Sequence, residues 1–208
     1  FRVRNVDELP ASRAVLFNLT PRQIIEIAGH RLSSSYKRKL ENFRYGLGSF
    51  KIDFALSEPI PWREKECAQA ATVHIGGTLD EISESEKSSW LGRAPEKPFV
   101  LLVQTSLFDE TRVPEGKQIG WAYCHVPNDS TADMTERIES QIERFAPGFR
   151  DCILAKTVYS PPELENYNAN YVGGDIGGGA NILSQIFTRP VFRLDPYKIP
   201  SKGLYICS

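Results

Sequence analysis

From Gly48 to Leu56 the chain reads GSFKIDFAL, and its large apolar residues Phe50, Ile52, Phe54 and Leu56 fall on every second position. Side chains alternate across a strand but recur every 3.6 residues on a helix, so this segment reads as a strand with one buried face. Such a face needs a cover, and the sequence offers one. After Asp133, Met134, Ile138, Ile142 and Phe145 recur at spacings of four, four and three, one apolar helical stripe that Pro147-Gly148 ends. Further strands are expected at Thr72–Ile75, residues 99–105, Gln118–Val126 and Ile153–Tyr159. The polar link DETRVPEG suits a hairpin between the third and fourth of these five strands. The expected fold is α+β, a mostly antiparallel sheet with helices covering one face.

Helix starts are legible as well. RAVLF, residues 13–17, reads as a buried strand leading into Thr20-Pro21-Arg22-Gln23, a capping box with proline at the first helical position. Ile24, Ile25, Ile27 and Ala28 form the apolar face of that helix, and Gly29 is its stop. A second helix is expected from Ser34 to about Phe43. Thr78-x-x-Glu81, Asp133-x-x-Glu136 and Ser160-Pro-Pro-Glu163 repeat the capping-box pattern.

The stretch NYNANYVGGDIGGGANIL gathers five glycines around Asp175. A dinucleotide fingerprint needs glycines at positions one, three and six between a strand and a helix, and neither Gly173-Gly174 nor Gly177-Gly178-Gly179 extends to that spacing. No Gly-Lys-Ser/Thr follows either. A tight structural loop is favoured over an autonomous phosphate site, although so much glycine also lets a ligand or second domain approach the backbone.

With 25 basic and 26 acidic residues in 208, the net charge is −1, and nothing electrostatic points to nucleic acid. The longest apolar run is too short to span a bilayer. Cys67, Cys124, Cys152 and Cys207 are scattered without a CxxC pair or a histidine cluster, which argues against a metal site or disulfide framework and fits a reducing cytoplasm. The chain opens on FRVRN without an initiator methionine and closes on the apolar GLYICS, so a fragment of a longer protein is expected.

PIPWREKECAQAATVHIGGTLDEI, PFVLLVQTSLFD, WAYCHVPNDS, IERFAPGFRD and NYVGGDIGGGAN together resemble the second half of the phytoene dehydrogenase-like FAD oxidoreductases, in the branch called pyridine nucleotide-disulphide oxidoreductase domain-containing proteins. The resemblance runs over nearly the whole chain. It implies a larger flavoprotein: an N-terminal Rossmann-type FAD half, a substrate domain, and a return to the FAD half. On that frame residues 1–30 are a remnant of the FAD half, 31–190 the substrate domain, and 191–208 the return strand. The sequence lacks GxGxxG, so the fragment alone is expected neither to bind FAD nor to be active. The parent's partners would be an apolar small-molecule substrate and, peripherally, a membrane, with no nucleic acid.

The resemblance makes Asn18, Thr20 and Pro21 candidates for the cofactor, together with Gly173, Gly174 and Asp175; Asn18 to Pro21 serve equally as a helix cap, and Asp175 as a turn residue. On GWAYCHV, Trp121, Tyr123 and His125 share one face. That face suits a flat or long apolar substrate, with Tyr171 as a further candidate, although packing beneath the helix that begins at Asp133 is slightly favoured. No Ser-His-Asp order, paired carboxylates, nucleophilic cysteine setting or metal cluster is evident, which is compatible with flavin chemistry in which the protein positions a C–H bond. A non-catalytic module binding a hydrophobic ligand or a protein is the alternative. The glycine loop is expected to serve a junction with the FAD half more than the stability of this piece, so that Gly174→Val costs flavin before it costs stability.

Overall fold

The structure, a computed structural model, describes residues 2–207. In chain order its elements are β1 (Val15–Phe17), α1 (Pro21–Ala28), α2 (Ser34–Glu41), β2 (Gly48–Leu56), β3 (Thr72–Ile75), α3 (Leu79–Trp90), β4 (Val100–Val103), β5 (Gln118–Val126), α4 (Thr135–Phe145), β6 (Ile153–Tyr159), α5 (Pro161–Tyr167), α6 (Leu183–Ile186) and β7 (Leu204–Ile206). They divide between two compact units. One takes the chain up to Gly46, Asn168–Val172 and everything from Gly177; the other takes Leu47–Tyr167 and Gly173–Ile176. The boundaries expected at 30 and 190 thus differ from the observed ones, because α2 buries Tyr36 and Leu40 in the same core as α1 and β7.

The larger unit is built on an antiparallel sheet in the order β3-β4-β5-β2-β6. Phe50, Ile52, Phe54 and Leu56 are all at most 3 % exposed, as their alternation requires. Register places Phe50 opposite Cys124 and Ile52 opposite Ala122, so β5 adds Ala122, Cys124 and Val126 to the same apolar face. Met134, Ile138 and Ile142 of the α4 stripe cover it, and the Phe149 ring meets Phe54 edge-on at 5.2 Å. Period-two strands against a period-3.6 helix therefore account for this core. β6 is one of the two edge strands, β3 being the other, and carries Lys156, whose ammonium reaches the buried Glu139 carboxylate of α4.

Two cap readings change. Met134, and not Asp133, is the N-cap of α4; the Asp133 carboxylate accepts from the Thr135 N–H at 2.8 Å, a local turn that ends before the helix. Thr20 is the N-cap of α1 without a side-chain cap bond, because its hydroxyl donates to the Gln23 side-chain oxygen. The Thr78/Glu81 box of α3 forms completely.

In the smaller unit β1 and β7 run parallel, Val15 opposite Leu204 and Phe17 opposite Ile206. Ile24 and Ala28 of α1, Leu40 of α2, Ile199 and Leu204 are the most buried residues of its apolar core. Among the described residues no helix is long and apolar enough to cross a membrane.

Candidate functional site

Two sites stand out, one in each unit. In the larger unit the same alternation that sends Ala122, Cys124 and Val126 beneath α4 sends Trp121, Tyr123 and His125 to the opposite face. The expectation that these three pack under the helix after Asp133 is therefore reversed: they form a half-buried row on the open side of the sheet. Trp121 and Tyr123 lie nearly parallel, centroids 6.2 Å apart at 14°, and the His125 ring follows 5.8 Å beyond Tyr123.

Register brings further groups to this face. Lys51 lies opposite both Tyr123 and Tyr159, and Asp53 opposite Trp121. The Lys51 ammonium sits 5.7 Å from the Trp121 ring centroid and 5.3 Å from that of Tyr159, and is paired with Asp53. From α3, Glu86 reaches the His125 Nδ1 at 2.9 Å. Burial, and then the Glu86 charge, push the Tyr123 phenol above its ordinary range. Glu86, Lys51 and Tyr159 carry no local motif that marks them; only strand register and helix placement bring them here.

The second site is a cavity of about 500 Å³ in the smaller unit, whose lining includes Thr20, Pro21, Phe43, Gly177, Gly178 and Arg189. Strand β1 delivers Thr20 and Pro21 to its wall, and Asn170 fixes that strand end: its Oδ1 accepts from the Thr20 N–H at 2.9 Å, and its Nδ2 donates to the Asn18 carbonyl at 3.2 Å. Gly178 has φ +66°, and a Cβ there would have 3.9 Å to its nearest neighbour, so the backbone leaves open space. Arg189 Nη2 donates to the Gly179 and Ala180 carbonyls and to Asn181, while its buried Nε has no hydrogen-bond partner among the described residues. Arg189 was not foreseen from the sequence.

The glycine stretch is thus shared between the units. Gly177 and Gly178 line the cavity, whereas Gly173, Gly174 and the buried Asp175 belong to the sheet unit. There the Gly173 carbonyl accepts from Asp129 N–H at 2.8 Å, and Gly174 lies against Pro161 so closely that a Cβ would come within 2.5 Å. Glycine at 174 is demanded by packing inside this unit, which reverses the expectation that the loop matters little to its stability. Tyr171 falls in the smaller unit, half-buried, its N–H donating to the Asn168 carbonyl. Among the described residues no group of three or more His, Cys, Asp or Glu is placed to hold a metal. Trp62 is an anchor, its Nε1 donating to the buried Gln104 side chain at 2.9 Å.

No protein-family model matches the chain. It is 31 % identical to the pyridine nucleotide-disulfide oxidoreductase domain-containing protein 2 of Mus musculus, a match covering 56 % of this chain and 22 % of that protein. To the protein of the same name from Rattus norvegicus it is 29 % identical, over 74 % of this chain and 29 % of that one. The chain therefore spans less than a third of these curated relatives. Among solved structures it resembles an oxidoreductase from Methanosarcina mazei, with a TM-score of 0.52 and 12 % identity, over 98 % of this chain and 39 % of that one. That likeness is one of fold.

Proposed function

We propose that this chain is the substrate-domain portion of a flavin-dependent oxidoreductase that takes a hydride from an apolar small molecule. The observation that carries the reading is the aromatic row Trp121-Tyr123-His125 on the open face of a sheet whose other face is sealed by α4. A sheet buried for stability on one side and furnished with parallel rings on the other is a rigid wall for a flat or extended ligand. The names of the rodent relatives support redox chemistry.

The cavity of the smaller unit suits the cofactor side. Its volume is that of a small-molecule pocket, its lining includes Thr20 and Pro21, which the family resemblance makes cofactor candidates, and the open space at the Gly178 Cβ position lets a flat ring approach the backbone. The flavin, when bound, supplies the hydride acceptor. Thr20, Pro21, Gly177, Gly178 and Arg189 would hold that group in the smaller unit, and in the larger unit Trp121 and Tyr123 would orient an apolar substrate. The pyrophosphate contact is left to a GxGxxG elsewhere in the parent.

The test is the flavin content of the full-length protein that contains this chain. About one flavin per chain is expected in the wild type, with loss of it in Gly178→Val and retention in Trp121→Ala. A full-length protein that neither purifies with flavin nor takes up FAD would leave a non-catalytic binding module as the better reading.

A further inference from the structure

We propose that His125 and Glu86 form a proton-accepting pair at the end of the aromatic row, placed to take a hydrogen bond from a hydroxyl of a flat, largely apolar ligand. The inference rests on the reading of this face as a substrate wall and names the chemistry of what lies there.

The Glu86 carboxylate stands 2.9 and 3.1 Å from His125 Nδ1. A carboxylate at that nitrogen accepts a hydrogen bond from Nδ1–H, which fixes the neutral imidazole in the tautomer whose Nε2 carries a lone pair. Nε2 has no hydrogen-bond partner among the described residues, on a side chain 35 % exposed. The pair is held from both sides. Ser89, on the same helix as Glu86, donates to the His125 carbonyl at 3.0 Å, and Ser85 Oγ accepts from Phe99 N–H at 2.9 Å, so α3 is tied to the strands that present the imidazole. Lys51 and Asp53, on the neighbouring strand, are paired with each other, which leaves His125 as the nitrogen acceptor at the end of the aromatic row. A pure hydrocarbon has no use for such an acceptor; an alcohol or phenol does.

The experiment has two arms on the whole chain. Nitrogen-15 NMR across a pH series reads the His125 tautomer from the plateau at which the ring shifts no longer change. The Nδ1–H form is expected, retained in Glu86→Gln, whose carbonyl still accepts, and lost to the Nε2–H form in Glu86→Leu. Titration with 2-naphthol and with 2-methoxynaphthalene, the same ring with and without a donor, then reads the ligand preference. Both should shift the Trp121 and Tyr123 ring resonances, 2-naphthol should bind about fivefold more tightly and move the His125 Nε2 resonance, and His125→Phe should abolish only the difference. An Nε2–H tautomer in the wild type, or equal binding with Nε2 unmoved, overturns the pair while leaving the aromatic wall in place. Failure of both probes to shift Trp121 and Tyr123 overturns the wall and the pair together.

Discussion

Replacing Gly174 by alanine puts a methyl group where the backbone has left no room for one. Gly174 has φ +80°, and the added Cβ would lie 2.5 Å from Pro161 Cβ and 2.6 Å from Pro161 Cα. The left-handed backbone costs an L-residue about 1–2 kcal/mol, and forcing a methylene into a packed contact about 1–3 kcal/mol more, because Pro161 at the start of α5 has no flexible end that can swing aside. The sum is about 2–5 kcal/mol, or a fall in Tm of about 4–20 °C for a chain of this size. The same molecule supplies the control. Gly116 has φ +72° with nothing within 4 Å of its Cβ position, so Gly116→Ala meets the backbone penalty alone. The effect of alanine on the unfolded chain is common to both variants and cancels. Urea unfolding of the two variants side by side therefore isolates the packing contribution, with Gly174→Ala expected to be the less stable by about 1–3 kcal/mol. Equal stability of the two would refute the claim that glycine at 174 is required by the fold of this unit.

Glu81 is held down to about 2 by the Arg144 guanidinium, then by the Thr78 N–H and Lys97. A carboxyl depressed in the folded state stabilises above its unfolded value and loses that stability as pH falls toward its folded one, so the acid limb between about pH 4.5 and 2 should be shallower in Glu81→Gln, read by urea midpoints across that range. Ile138→Ala, at a fully buried position of the α4 stripe, should cost about 2–5 kcal/mol in the same assay. A maleimide should label the exposed Cys207 quickly and leave Cys124 untouched until the chain unfolds, because burial drives the Cys124 thiol far above its ordinary range; mass spectrometry of the labelled peptides distinguishes them.

The sheet and its cover were legible because both rest on periodicity within one segment. GSFKIDFAL can bury one face only as a strand, and the 134/138/142 stripe can bury one face only as a helix. The open face was legible in composition but not in orientation. Nothing in GWAYCHV says which of its two faces α4 covers; that is decided by Ala122, Cys124 and Val126 falling in register with Phe50 and Ile52, a pairing across some seventy residues of chain. Glu86 escaped notice for the same reason, since it meets His125 only once α3 lies beside β5. The capping pattern after Asp133 misled because an aspartate can satisfy an N–H two residues on as readily as one at the third helical position. The glycine stretch shows the same limit. Its spacing excludes a dinucleotide fingerprint, but only packing reveals that Gly174 answers to Pro161 and Gly178 to an open cavity.

The central claim, that this chain meets a flavin through the cavity of its smaller unit, is tested most directly by photolabelling the full-length protein with 8-azido-FAD and mapping the modified peptides. Label is expected on the peptides that carry Thr20-Pro21 and Gly177-Gly178, protected by excess FAD and absent from the peptides of the α4 side of the sheet. Saturable, FAD-protected label that avoids both of those peptides would contradict it.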